Sequence, residues 1–111
     1  MKQVVDLEGS PQFDSLGVEL ISIATDPVAQ LALAASQFGT KTASLSDAGG
    51  RVSDRYGVLR WAMASGEPGH TFVLVGKNSK LKWIRDYGAM ENGGRMYVPV
   101  DELLKELRAR L

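Results

Sequence analysis

His70 is the only histidine in the sequence, and an imidazole that changes charge near neutral pH can serve as acid, base or hydrogen-bond donor. One histidine and no cysteine leave zinc without enough ligands. No Gly-x-Ser-x-Gly elbow surrounds any serine and no acidic orienter of His70 is evident, so a serine nucleophile is not supported. The plainer reading of His70, a residue opening a strand and hydrogen-bonded to nearby backbone, is therefore preferred. Asp47-Ala48-Gly49-Gly50 has the composition of a phosphate-cradling loop, but no Lys-Ser/Thr follows it and no GxGxxG is present. It reads as a turn that caps a helix. Asp86, after Arg85, suits pairing with Arg55 or capping a turn, and nothing places it with Asp47 as a carboxylate dyad. Trp61, Trp83 and Tyr87 suggest a stacking surface, yet aromatic content is only 7% and Trp83 falls at an alternating strand position. Packing is the better account of them. The absence of cysteine removes disulfides, thiolate metal sites and thiol catalysis together.

The elements that must position these residues are set by pattern and punctuation. Met1 to Leu7 reads as the end of a helix with Val4, Val5 and Leu7 inward, loosened or ended by Gly9-Ser10-Pro11. Val18 to Thr25 is short, rich in β-branched residues and nearly continuous in apolarity, which predicts a strand buried on both faces. Asp26 suits an N-cap and Pro27 a first helical position. The helix they open carries Leu31, Ala34, Ala35 and Phe38 inward and stops at Gly39. Strand, tight turn and helix in that order are half of a βαβ unit, which favours a parallel or mixed sheet. Thr42 to Leu45 reads as a second short strand. Asp47 caps a short helix over Arg51 to Tyr56, with Val52 and Tyr56 on its inner face and Gly57 ending it. After a loop over Ala64 to Gly69, His70 to Val75 and Leu81 to Arg85 form a hairpin across Gly76 to Lys80. Ala89 to Gly94 is a polar loop. Pro99 to Leu111 closes the chain as a helix with Leu103, Leu104 and Leu107 inward, acidic at its start and basic at its end.

Composition bounds the function. A length of 111 residues fits one domain, 1–111, with 44% hydrophobic and 23% charged residues in the ordinary globular range. Thirteen basic residues balance thirteen acidic ones, so no net field is available to hold nucleic acid or an anionic membrane. Apolar runs are interrupted by Asp26, Pro27 and Gly39, and Met1 to Asp14 does not resemble a secretory signal. The expectation is a cytoplasmic protein without nucleic-acid or membrane partners.

Four fragments in order then narrow the field: Gly17 to Gly39 with Ser22 and Asp26; Leu45-Ser46-Asp47 followed by Gly50; Tyr56-Gly57-Val58; and Thr71-Phe72-Val73-Leu74-Val75 with a lysine-bearing turn. Together they resemble the redoxins of the peroxiredoxin (alkyl hydroperoxide reductase and thiol-specific antioxidant) superfamily, over about Lys2 to Leu107. The resemblance implies an α/β, thioredoxin-like mixed sheet flanked by helices and N-terminally truncated, with the family's first strand and nucleophilic cysteine upstream of Met1. It also implies an active-site wall at Gly69, His70 and Thr71, because peroxiredoxins carry an arginine, and thioredoxin-like oxidoreductases a cis-proline, where this chain has Gly69.

The resemblance and the missing cysteine together imply a cysteine-free C-terminal portion of a thiol-dependent antioxidant or oxidoreductase, with no catalytic residue, cofactor or metal of its own. A thiol reductant protein is implied for the complete parent. The alternative is a noncatalytic binding or assembly module using the same sheet. A missing central strand would leave two sheet edges exposed, so a homo-oligomer formed through those edges, a dimer first of all, is also expected.

Overall fold

The structure is a computed structural model that describes residues 1–111. In chain order the elements are α1 (Lys2–Glu8), α2 (Pro11–Asp14), β1 (Ile21–Ala24), α3 (Val28–Phe38), β2 (Ala43–Ser46), α4 (Arg51–Arg55), β3 (Thr71–Val75), β4 (Leu81–Asp86) and α5 (Val100–Arg108). Single 3-10 turns occupy Val58–Trp61 and Met90–Asn92. β1 and β2 pair in parallel, with Ile21 opposite Ala43 and Ala24 opposite Ser46. β3 and β4 form an antiparallel hairpin, with Thr71 opposite Asp86 and an irregularity at Leu74/Val75. These are two separate two-stranded sheets, one parallel and one antiparallel. β1 and β3 share no ladder, so each keeps one row of backbone groups without a strand partner.

The core gathers around the hairpin and α5. Leu103, Leu104 and Leu107 lie on one face of α5 and are at most 8% exposed, as the spacing predicts. Asp101 and Glu102 stand in its first turn and Lys105 and Arg108 in its last, each opposing the local end of the helix dipole. Against this face pack Leu7 from α1, Phe13 from α2, Leu74 from β3, and Tyr87 and Val98. Ser10 caps α2 by accepting from the Phe13 N–H at 3.1 Å, so the Gly9-Ser10-Pro11 cluster ends one helix and starts another.

Elsewhere the packing departs from the pattern. β1 is not buried on both faces, since Ile21 and Ile23 are 48% and 44% exposed. A strand with one strand neighbour and no covering layer on that face cannot be buried however apolar its sequence. α3 ends at Gly39 as expected, in the left-handed region at φ 67°. Its N-cap is Pro27, however, and no side chain caps it. Pro27 has ψ 151°, an extended value that delays the first helical residue to Val28, while the Asp26 carbonyl accepts from Ser46 Oγ at 2.7 Å. Phe38 points outward at 55% exposure. In α4 the expected inner pair Val52 and Tyr56 is exposed, and Ser53 is buried instead. In α1 Leu7 is buried as expected, whereas Val4 and Val5 are half-buried and the polar Gln3 takes the other buried position.

Candidate functional site

The segment Gly69-His70-Thr71 lies where the chain turns into β3, against the end of β4. Its backbone is pinned by the Tyr87 N–H, which donates to the His70 carbonyl at 2.8 Å. Two glycines make the fit possible. A Cβ on Gly88 would lie 2.7 Å from the His70 nitrogen, and one on Gly69 would lie 3.1 Å from the Trp61 carbonyl oxygen. Backbone at both contacts leaves no flexible group to move aside.

Thr71 Oγ1 donates to Asp86 Oδ1 at 2.8 Å. Asp86 Oδ2 accepts from the Ala89 N–H at 2.8 Å and from Asn92 Nδ2 at 3.0 Å. Burial opposes the charge on Asp86, but donors from Asn92, Ala89, Thr71 and Gly88 outweigh it and hold the carboxyl below its usual range. Asp86 thus fixes the polar loop after β4 to the start of β3. It caps a turn, one of the two roles its sequence position suggested, and makes no ion pair with Arg55.

His70 is half-buried and its ring meets the edge of Phe72 at 5.1 Å between centroids. Its Nε2 stands 2.9 Å from Gln3 Oε1, so its side chain is tied to α1 while its carbonyl is paired with the Tyr87 N–H. Burial pushes its pKa below the ordinary value, the Met1 amino group acts in the same direction, and Asp86 opposes them. Gln3 also holds both the N–H and the carbonyl of Val98. Nothing in the sequence marks Gln3, a polar residue in a short helix, as the partner of a histidine 67 positions away. Gly88 is likewise silent in the sequence, because its role is a contact across the hairpin.

The other candidates settle into structural roles. Asp47 accepts from the Val52 N–H at 3.0 Å and from the Ser53 N–H and hydroxyl at 2.7 and 2.8 Å. Those donors, the backbone ones foremost, hold its carboxyl below the usual range, so the loop is a helix cap as predicted. Trp83 packs at the margin of the core with the Arg110 guanidinium 5.1 Å from its ring, and Trp61 carries Arg60 at 4.0 Å. Tyr87 is 1% exposed, with the Arg85 guanidinium 4.7 Å from its ring. An open cleft of about 400 Å³ lined by Trp61, Ile84, Asp86 and Asn92 adjoins the Asp86 loop. A second, of about 500 Å³, lies between Val5, Asp6 and Tyr97. Gly69, His70 and Thr71 line neither. No group of three or more His, Cys, Asp or Glu side chains is placed to hold a metal ion, and no helix is long and apolar enough to cross a membrane.

Comparison with known families finds no matching family model, and no curated protein matches the sequence. The solved structures similar in fold include two AhpC proteins. Mycobacterium tuberculosis AhpC superposes with a TM-score of 0.75 at 19% identity, covering 97% of this chain and 59% of that one. Mycobacterium bovis AhpC gives a TM-score of 0.69 at 22% identity, covering 97% of this chain and 62% of that one. The chain has the peroxiredoxin-like thioredoxin fold and spans less than two thirds of the length of either AhpC structure.

Proposed function

We propose that this chain is the cysteine-free C-terminal portion of a peroxiredoxin-like, thiol-dependent antioxidant protein, supplying scaffold and one wall of the reaction site without being catalytically competent. The observation that carries this reading is the likeness to two AhpC structures over 97% of the chain, joined to a sequence with no cysteine. Peroxide reduction by this class of fold needs a thiolate that becomes a sulfenic acid, and methionine oxidation turns over only with a dedicated reductase. The wall is Gly69, His70 and Thr71, held at the mouth of β3 by Gly88 and Asp86. A thiol reductant protein would serve the complete protein, and its place is the cytoplasm. The test is peroxide consumption coupled to a thiol reductant. The expected rate equals that of a heat-denatured control, and steady-state turnover above it would overturn the reading.

One observation favours an assembly role as well. Ile21, Ile23 and Leu45 are each more than 40% exposed beside a strand edge without a partner. A homo-oligomer joined through such edges would satisfy the backbone groups and remove that apolar surface from water. Sedimentation equilibrium at micromolar concentration should give a dimer, and a monomer throughout would remove this role.

A further inference from the structure

The Gln3 amide is wedged between two backbone groups whose hydrogen-bonding roles cannot be exchanged. Its Nε2 donates to the Val98 carbonyl at 2.9 Å, and its Oε1 accepts from the Val98 N–H at 2.8 Å. A carbonyl cannot donate and an N–H cannot accept, so the amide has one permitted orientation. The same Oε1 lies 2.9 Å from His70 Nε2. An amide oxygen offers lone pairs only, so this contact is a hydrogen bond only when His70 Nε2 carries the hydrogen. The oxygen has two lone pairs, and Val98 and His70 use both. Gln3 is 8% exposed, so rotating its amide away would leave both Val98 groups without their partner.

The consequence falls on the other ring nitrogen. His70 Nδ1 makes no hydrogen bond within the chain, and it is not among the buried polar atoms that lack a partner. It therefore has access to solvent. We propose that Gln3 is a positioning residue that locks His70 in its neutral Nε2–H tautomer, leaving Nδ1 as an unpaired hydrogen-bond acceptor for a group that brings its own hydrogen. The acceptor rests on the geometry of Gln3 and Val98 alone. Its use toward a thiol or a hydroperoxide rests on the function proposed above. Of the charged groups, Asp86 at the end of β4 and the amino group of Met1 at the start of α1 act on the ring, with opposite effects on its charge. Burial adds to the effect of the amino group, and the neutral ring is the form this surrounding favours.

The test is long-range ¹H–¹⁵N correlation on the full chain with labelled histidine, at a pH where the imidazole is neutral. The expected spectrum has a protonated, pyrrole-type Nε2 and an unprotonated, pyridine-type Nδ1. A protonated Nδ1, or the averaged shifts of a free imidazole, would overturn the lock in the wild-type protein without reference to any variant. Gln3→Glu separates positioning from simple packing. A carboxylate still accepts from Nε2–H and adds a negative charge, so the proton affinity of His70 should rise about tenfold or more. Gln3→Met fills similar volume with no acceptor, and the tautomers should then mix. An unchanged tautomer in folded Gln3→Met would show that Gln3 sets nothing. None of these outcomes bears on peroxide turnover, so failure of the lock and failure of the proposed function are told apart.

Discussion

Two helices of similar length meet opposite fates in this molecule. α5 buries Leu103, Leu104 and Leu107 almost completely, whereas no residue of the β1–α3–β2 unit, from Ile21 to Ser46, is fully buried. In α5 the apolar residues share one stripe that fits the hairpin and α1. In α3 they are spread around the cylinder, with Val28 and Leu33 71% and 59% exposed, and a single neighbouring sheet cannot cover them all. One tie joins the two regions by side chain. Glu8 at the end of α1 accepts from the N–H of Lys41, the N–H of Thr42 and the Thr42 hydroxyl, at 3.0, 2.9 and 2.6 Å. Burial is thus a property of what neighbours an element has, and an apolar sequence states only that a neighbour is needed.

The sharpest way to break this contrast is a matched pair of truncations. Leu103→Ala should cost about 2–5 kcal/mol, because it opens a cavity in a packed core. Leu33→Ala, at a side chain largely in water, should change stability by no more than about 0.5 kcal/mol. Urea unfolding of both variants measures the difference. A Leu33→Ala cost near that of Leu103→Ala would mean that the outer face of α3 is covered in solution.

The same contrast divides what is legible in the sequence from what is not. The order of elements, the Gly39 stop, the Asp47 cap, the hairpin turn and the leucine face of α5 are all set by local signals, since each depends on residues within a few positions. The burial of β1, the outward position of Phe38 on α3 and the inner face of α4 differ from expectation, because each depends on a distant neighbour that periodicity cannot supply. The candidate wall divides in the same way. The strand pattern and the resemblance place Thr71 and His70, while Gln3, Gly88 and the donors to Asp86 meet them only after folding.

Glycine substitutions give the next largest effect and separate the regions by mechanism. Gly88→Ala would force a Cβ to 2.7 Å from the His70 backbone nitrogen, so it should cost about 1–3 kcal/mol and displace His70. Gly39, at the end of α3, has φ 67°, and a Cβ there would meet no atom within 4 Å. There Gly39→Ala should cost about 1–2 kcal/mol from backbone strain alone, and Gly39→Asn less. Recovery by Asn at position 39 with no recovery at position 88 is the pattern expected in thermal unfolding.

Helix caps should differ by less. Ser10→Ala removes the acceptor for the Phe13 N–H and should cost about 1 kcal/mol. Asp26 has the type of an N-cap but makes no capping bond, so Asp26→Ala should stay within about 0.5 kcal/mol. Equal costs from the two substitutions would show that Asp26 caps α3 in solution and that the open region is better knit than its contacts indicate.

The smallest effect is a pH dependence confined to the packed region. Burial, assisted by the Met1 amino group and opposed by Asp86, lowers the pKa of His70 from its ordinary value of about 6.5. Between the folded and the unfolded value the unfolded chain binds more protons, so stability rises with pH across that interval. It is fully present above about pH 6.5 and is lost as pH falls toward the folded value. The slope must stay well below the ceiling of about 1.4 kcal/mol per pH unit for one proton, because water reaches part of the ring and screens it. As the chain has no other histidine, His70→Gln should flatten the profile between pH 5 and pH 7, about the range where a histidine changes charge. A rise that persists in His70→Gln would assign the proton to another group. A profile that falls with pH in the wild type would mean that the folded protein favours the cation, with Asp86 outweighing burial.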